Sequence, residues 1–237
     1  RLYKDPMFAE GLLMNAYLNI PLRTTSFDEV ATDDAVTNLK ANEYLSMATG
    51  QWSASYNPKG QWNNSTQAIF YLNKFISLID TVQWKWTNEE LNTLYKKRFY
   101  GEAFALRGLF GLLLLESTAG ISDDGELLGI PIYRQFIENT GNFNIPRLPF
   151  KESVDSIEAD FNRSLQFLTM NEYKDIQSED QLPEGYETHS IPAYNEIFGK
   201  RLNQRIDGKV VKALKAKLAL LAASPAFNLQ SDATLWE

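Results

Sequence analysis

The 237-residue chain contains no cysteine. That excludes disulfide staples, thiol nucleophiles and cysteine-based zinc or iron–sulfur sites. Histidine is nearly absent too. His189 is the only one, so a His-rich metal site is excluded and Ser-His-Asp chemistry has a single available base. Positive charge is in deficit: 23 Lys and Arg face 30 Asp and Glu, a net charge of −7. An acidic chain is a poor partner for nucleic acid or for anionic lipid, because both are negatively charged. Long apolar runs are also missing. The longest, 109–115, is far below the roughly 20 residues that span a bilayer.

Aromatic side chains, in contrast, are abundant: five Trp, eleven Tyr and fourteen Phe. Where these rings sit is the question the sequence poses. The chain opens Arg1-Leu2-Tyr3 with no initiator Met and no apolar leader, and it stops at Leu235-Trp236-Glu237 without a terminal cap. It reads as a trimmed piece, with any targeting signal lying upstream.

Five segments carry a helical period. The first follows Asp5-Pro6, an N-cap with proline at the first helical position, and places Phe8, Leu12, Ala16 and Ile20 on one face. The second follows Trp62-Asn63-Asn64-Ser65 and carries Ile69, Leu72, Ile76 and Ile79. The third opens on the capping-box signature Thr87-Asn88-Glu89-Glu90 and carries Tyr95, Phe99, Ala103, Leu106, Phe110 and Leu113. Gly101, Gly108 and Gly111 each weaken that helix by about 1 kcal/mol relative to alanine, so close helix packing is expected to compensate.

The fourth carries Val154, Ile157, Phe161, Leu165 and Leu168. The fifth starts at Asp207-Gly208, carries Val210, Leu214, Leu218 and Leu221, and ends at Ser224-Pro225. Lys209, Lys212, Lys215 and Lys217 form its solvated side. Three long irregular stretches, 21–44, 120–149 and 171–205, separate the helices, with a short strand suggested near 130–133. Segments two and three form a helical hairpin. The fold class is all-α: helical hairpins with long loops and little or no sheet.

Candidate chemistry is sparse. The acid pairs Asp33-Asp34, Asp123-Asp124 and Glu89-Glu90 are adjacent residues, whereas a glycosidase needs two acids roughly 5–10 Å apart across a sugar. Each reads as a solvated turn or a helix cap, and Asp33-Asp34 alternatively as an oxygen pair for calcium, without EF-hand spacing. His189, in the polar run Glu187-Thr188-His189-Ser190, reads as a surface residue. No phosphate loop, dinucleotide fingerprint or Gly-x-Ser-x-Gly elbow is present. Catalytic residues, cofactors and bound metals are therefore not expected.

The segment 51–62 differs. It sets Trp52, Tyr56 and Trp62 among Gln, Ser, Asn, Pro and Gly rather than on a periodic apolar face. Flat rings beside amides suit sugars, which offer apolar C–H faces edged by hydroxyls. Trp52, Tyr56 and Asn57 are the candidate ligand-binding residues. Trp62 is expected to begin a helix and pack beneath it, and Trp84 and Trp86 to clamp the hairpin turn.

Four stretches, in order, carry a resemblance. They are Thr32-Asp33-Asp34-Ala35; Trp62 through Asn73; Arg98-Phe99-Tyr100-Gly101-Glu102-Ala103-Phe104-Ala105-Leu106-Arg107-Gly108 followed by Gly129-Ile130-Pro131; and Arg205 through Asn228 with its Ser224-Pro225-Ala226-Phe227-Asn228 end. Together they resemble the SusD/RagB family of glycan-binding lipoproteins of the Gram-negative outer membrane. The resemblance implies tetratricopeptide-like hairpins and surface capture of oligosaccharide or polysaccharide. It also implies delivery to a SusC-type, TonB-dependent porin and attachment through an N-terminal lipid upstream of this chain. On that reading, 1–237 is one helical segment, the lipidated piece and the C-terminal half lie beyond it, and the protein is not an enzyme.

The sequence departs from the family pattern in three places. Gly108 replaces an alanine, Leu148 stands where a Ser or Thr often caps the fourth helix, and 171–204 is longer than the usual link. A helical scaffold that caps a transporter, with a peptide or unknown ligand, is the alternative reading.

Overall fold

A computed structural model describes residues 4–21, 28–53, 55–170 and 172–236. Residues 1–3 and Glu237, which bear on the reading of a trimmed piece, lie outside the described residues, as do 22–27 of the first irregular stretch. The described chain carries helices α1 (Pro6–Leu18), α2 (Glu43–Ala48), α3 (Trp62–Leu78), α4 (Glu89–Thr118), α5 (Phe150–Ser164), α6 (Ile191–Phe198) and α7 (Gly208–Ala223). The only sheet among the described residues is a two-residue pairing of β1 (Gly120–Ile121) with β2 (Leu127–Leu128). The all-α hairpin expectation holds.

Local signals placed the five long helices well. Asp5 Oδ1 accepts from the Met7 amide at 2.8 Å, with Pro6 at the first helical position of α1. The buried face of that helix is Ala9, Leu13 and Ala16, one residue on from the expected Phe8 and Leu12, which are half-buried. Two alanines on the seam leave room for α1 to lie against α3. In α3, Ile69 and Leu72 are buried as expected.

Asn88, rather than Thr87, caps α4, accepting from the Leu91 amide at 3.0 Å. Glu90 does not fold back to complete a capping box. It accepts from the Ser190 amide at 2.6 Å, which holds its carboxyl below the usual carboxylate range. α7 begins at Asp207, which caps Val210 N, but its buried residues include Val211 and Leu218 while Val210 is exposed.

α4, about 45 Å long at 1.5 Å per residue, packs against α3 and α5, and its N-terminal part meets α6. Its glycines face α5 and the turn that follows it. A Cβ on Gly108 would lie 2.5 Å from Phe161 Cε1, and one on Gly101 2.6 Å from Leu168 Cγ. The glycines cost helix propensity but permit a close approach that alanine would block.

The strand suggested near 130–133 does not form. Pro131 has no amide to offer a ladder, and beyond it the backbone is drawn to α3, where Asn73 Nδ2 donates to Tyr133 O at 2.9 Å. No side chain caps α5 at Pro149. Ser153 Oγ instead accepts from Ile130 N at 3.0 Å and fastens that segment to the helix.

The largest correction concerns 172–205, the described part of the third irregular stretch. It is not an irregular loop: α6 and short 3-10 turns fold into a second apolar cluster, in which Tyr173, Tyr186, Tyr194 and Phe198 pack on Leu91 and Leu94 of α4. Periodicity missed this cluster because paired rings and short runs build it, not one helical stripe. Part of the aromatic excess belongs here. His189, expected on the surface, is largely buried, with Nδ1 3.6 Å from Glu90 Oε1 and Nε2 3.5 Å from Lys97 Nζ.

The tryptophans of the α3–α4 link divide. Trp84 is buried on Phe99 at a 4.4 Å centroid separation and donates to Ile79 O, whereas Trp86 is 82% exposed and clamps nothing. Lys209, Lys212 and Lys217 of α7 do face solvent, where Lys209–Glu172 and Lys217–Glu116 are pairs at 2.9 Å, whereas Lys215 is half-buried and lies 3.2 Å from Glu158 of α5.

Two buried polar knots tie the helices together. Glu102, with no solvent exposure, lies 2.9 Å from Arg98 Nε and 3.1 Å from Arg205 Nη1, and accepts from the Tyr17 hydroxyl at 2.6 Å. Burial, then the Glu102 charge, pushes the Tyr17 phenol well above its ordinary range, so it remains a donor. Arg107 reaches both oxygens of Asp160 at 2.6 and 2.9 Å and donates to Asn73 Oδ1 at 2.8 Å.

Replacing Glu102→Gln should cost about 3–5 kcal/mol in equilibrium urea unfolding, because the buried Arg98 then loses its close counter-charge and keeps only Glu10 at 3.9 Å. Gly108→Ala should cost about 1–3 kcal/mol through overpacking against Phe161. A urea midpoint equal to wild type in either variant would contradict the packing described here.

Candidate functional site

Segment 51–61 is shaped by turns and then fastened to the end of α4. Gly50, at φ +77°, lets the backbone leave α2 in the left-handed region that side chains disfavour. Ser53 and Tyr56 then pair, Ser53 N to Tyr56 O at 3.1 Å and Tyr56 N to Ser53 O at 3.0 Å. Asn57 closes the exit: its Oδ1 accepts from Lys59 N at 3.0 Å and its carbonyl from Gly60 N at 2.9 Å. Across the gap, Asn57 Nδ2 donates to Ser117 O and Gln61 N to Ser117 Oγ, both at 3.4 Å.

A cleft of about 400 Å³ opens between this segment and α4. Trp52, Asn57, Gln61, Tyr44, Leu113 and Ser117 line it, with Asp28, Lys59, Glu116 and Lys217 beside them. The charges pair off, Lys59 with Asp28 and Lys217 with Glu116. Trp52 is 55% exposed. The buried Oε1 of Gln61 has no hydrogen-bond partner among the described residues, and an unpaired acceptor in a cleft wall is suited to a ligand hydroxyl.

Of the three candidate residues, Trp52 and Asn57 share this cleft. Tyr56 is 40% exposed but does not line it. Sequence reasoning missed Tyr44 and Gln61, one inside a short unpredicted helix and the other masked by its place before α3. Trp62 does not pack beneath α3. At 44% exposure it lines a second cleft, together with Phe70, Tyr133 and Phe143.

The other candidates for chemistry stay apart. Asp33 and Asp34 sit in an exposed bend, where Asp34 N donates to Thr32 Oγ1. Asp124 contacts Ser122 in an exposed turn. Among the described residues, no group of three or more His, Asp or Glu is placed to hold a metal ion. The arrangement can stack a ring and exchange hydrogen bonds.

Residues 9–181, well over half of the chain, match the SusD-like family described as starch-binding and associating with the outer membrane. The chain belongs to the SusD-like family. Among proteins of curated function, none matches it.

Solved structures share the fold. A SusD-like protein from Bacteroides fragilis NCTC 9343 superposes with a TM-score of 0.65 at 18% identity, over 100% of this chain and 39% of its own. A laminarin-binding SusD-like protein gives 0.60 at 20% identity, over 98% and 42%. A SusD-like carbohydrate-binding protein from the same B. fragilis strain gives 0.60 at 15%, over 99% and 40%. The chain thus spans about two-fifths of the length of these relatives. Within the stretches that carry the resemblance, Asn73, Glu102, Arg107 and Arg205 lie in the buried knots and do not line the Trp52 cleft. Among the described residues, no helix is long and apolar enough to cross a membrane.

Asn57→Ala should free the exit of the segment at a cost of about 1 kcal/mol. The expected readout is faster proteolytic cutting within 51–60, with the melting temperature nearly unchanged.

Proposed function

We propose that this SusD-like chain binds oligosaccharide at the Trp52 cleft and, as part of a lipid-anchored protein on the outer face of the outer membrane, passes it to a SusC-type, TonB-dependent porin. The observation that carries the reading is the exposed Trp52 ring held over a cleft whose wall offers the unpaired Gln61 Oε1 and the Asn57 side chain. A sugar laid on the indole buries its C–H face, and its hydroxyls meet the amides at the edge. Relatives described as laminarin-binding and as carbohydrate-binding support the ligand class.

The role is binding without covalent chemistry. A platform this open removes only part of a sugar from water, so affinity at one site is modest. In calorimetric titration with oligosaccharides, Trp52→Ala should weaken binding roughly tenfold, the loss of about 1.4 kcal/mol of stacking and contact area. Its melting temperature should stay at the wild-type value, and Tyr56→Ala should bind like wild type. Unaltered binding by the Trp52 variant would remove this cleft from the function.

A further inference from the structure

The second cleft, of about 430 Å³, runs along the N-terminal part of α3 and faces the segment 133–143. Trp62, Gln67 and Phe70 form one wall, and Tyr133, Gln135 and Phe143 the other. Trp62 and Phe143, at 44% and 45%, are among the more exposed large apolar side chains of the described chain. Rings left open to water at a concave site are unusual enough to mark a binding surface.

The walls are built before any ligand arrives. Asn73 Nδ2 donates to the carbonyls of Tyr133 and Gln135 at 2.9 and 3.2 Å. Arg107, itself held by Asp160, reaches Asn73 Oδ1 and the carbonyl of Arg134. The Tyr133 hydroxyl donates to Phe143 O at 2.9 Å and ties the two arms of the segment together. At its tip, a Cβ on Gly141 would lie 2.5 Å from Ile137 Cγ2, so only glycine permits this close a return. The cleft is thus fixed by one of the knots that hold the helices.

Its chemistry is selective. No Asp, Glu, Lys or Arg lines it, unlike the Trp52 cleft. The side-chain amides of Asn63, Gln67 and Gln135 make no hydrogen bond to other described residues, so donors and acceptors stand uncommitted beside the rings. A purely apolar ligand would strip water from those amides without replacing it. An anion would find no cation. A neutral polyhydroxylated ring satisfies both the rings and the amides.

We propose that this cleft is a second carbohydrate site, which takes a neutral pyranose unit stacked on Trp62 and hydrogen-bonded by Gln67 and Gln135. The inference rests on the reading that the chain binds glycans, and it adds a place and a charge preference. Two separate sites on one chain let a long polysaccharide be held at two points, which raises avidity without tightening either site.

The test is calorimetric titration of wild type, Trp52→Ala, Trp62→Ala and the double variant Gln67→Ala/Gln135→Ala. The probes are neutral hexasaccharides (glucan, xylan and mannan) and uronate hexasaccharides. All four residues are exposed, and melting temperatures check that each variant folds. For a neutral probe, Trp62→Ala should lose roughly tenfold in affinity or one of two binding equivalents. The double amide variant should lose about threefold or more, and Trp52→Ala should retain the second equivalent. Neutral-sugar binding unchanged in Trp62→Ala but lost in Trp52→Ala overturns the second site and leaves the first standing. Uronate binding that falls with Trp62→Ala overturns the neutral assignment. A wild-type chain that binds none of the probes overturns both readings.

Discussion

A carboxylate without access to water organises this molecule. Taking the Glu102 charge out of water costs several kcal/mol, and only close cations and a hydroxyl offset it. Arg98 comes from the same helix, Tyr17 from α1 and Arg205 from the approach to α7. The Tyr17 oxygen also accepts from Ile206 N at 3.2 Å, so three parts of the chain must arrive together before the charge is satisfied. Five residues further along α4, about 140° around the helix, Arg107 makes the same demand of α3, α5 and the segment near 134. Glycines on the α5 side bring α4 and α5 close enough for the second knot to close.

The clefts inherit their rigidity from this frame. The Trp52 segment is fastened to Ser117 at the end of α4, and the wall facing Trp62 hangs from Asn73, one bond away from Arg107. Both surfaces are therefore preorganised, which lowers the ordering cost of binding. A division of labour follows. Glu102, Arg107 and Arg205 hold the helices, while Trp52 and Trp62 stay open to water at the clefts.

The aromatic excess separates into three populations by environment. Phe99, Phe110 and Phe161 fill helix stripes, as their spacing predicted. Tyr173, Tyr186, Tyr194 and Phe198 build the second cluster, which was illegible because no single period links them. Trp52, Trp62 and Phe143 stay open to water. Trp52 was legible as one of these, since polar turn residues surround it. Trp62 was not: it opens an apolar helix, and only the opposing segment shows that its face looks outward. Trp84 and Trp86, two residues apart, were indistinguishable until the turn between α3 and α4 buried one and exposed the other.

The sequence by itself determined where three of the long helices begin, because Asp5, Asn88 and Asp207 bond to amides two or three residues away. It also determined the family, through the order of motifs along the chain. The tertiary structure alone decided what the motif residues do and which rings face solvent. Glu102 meets Arg205 across 103 positions and Arg107 meets Asp160 across 53, separations at which local pattern carries no information. A cap is settled within one turn of helix. Burial is settled by whatever distant segment arrives to cover the side chain.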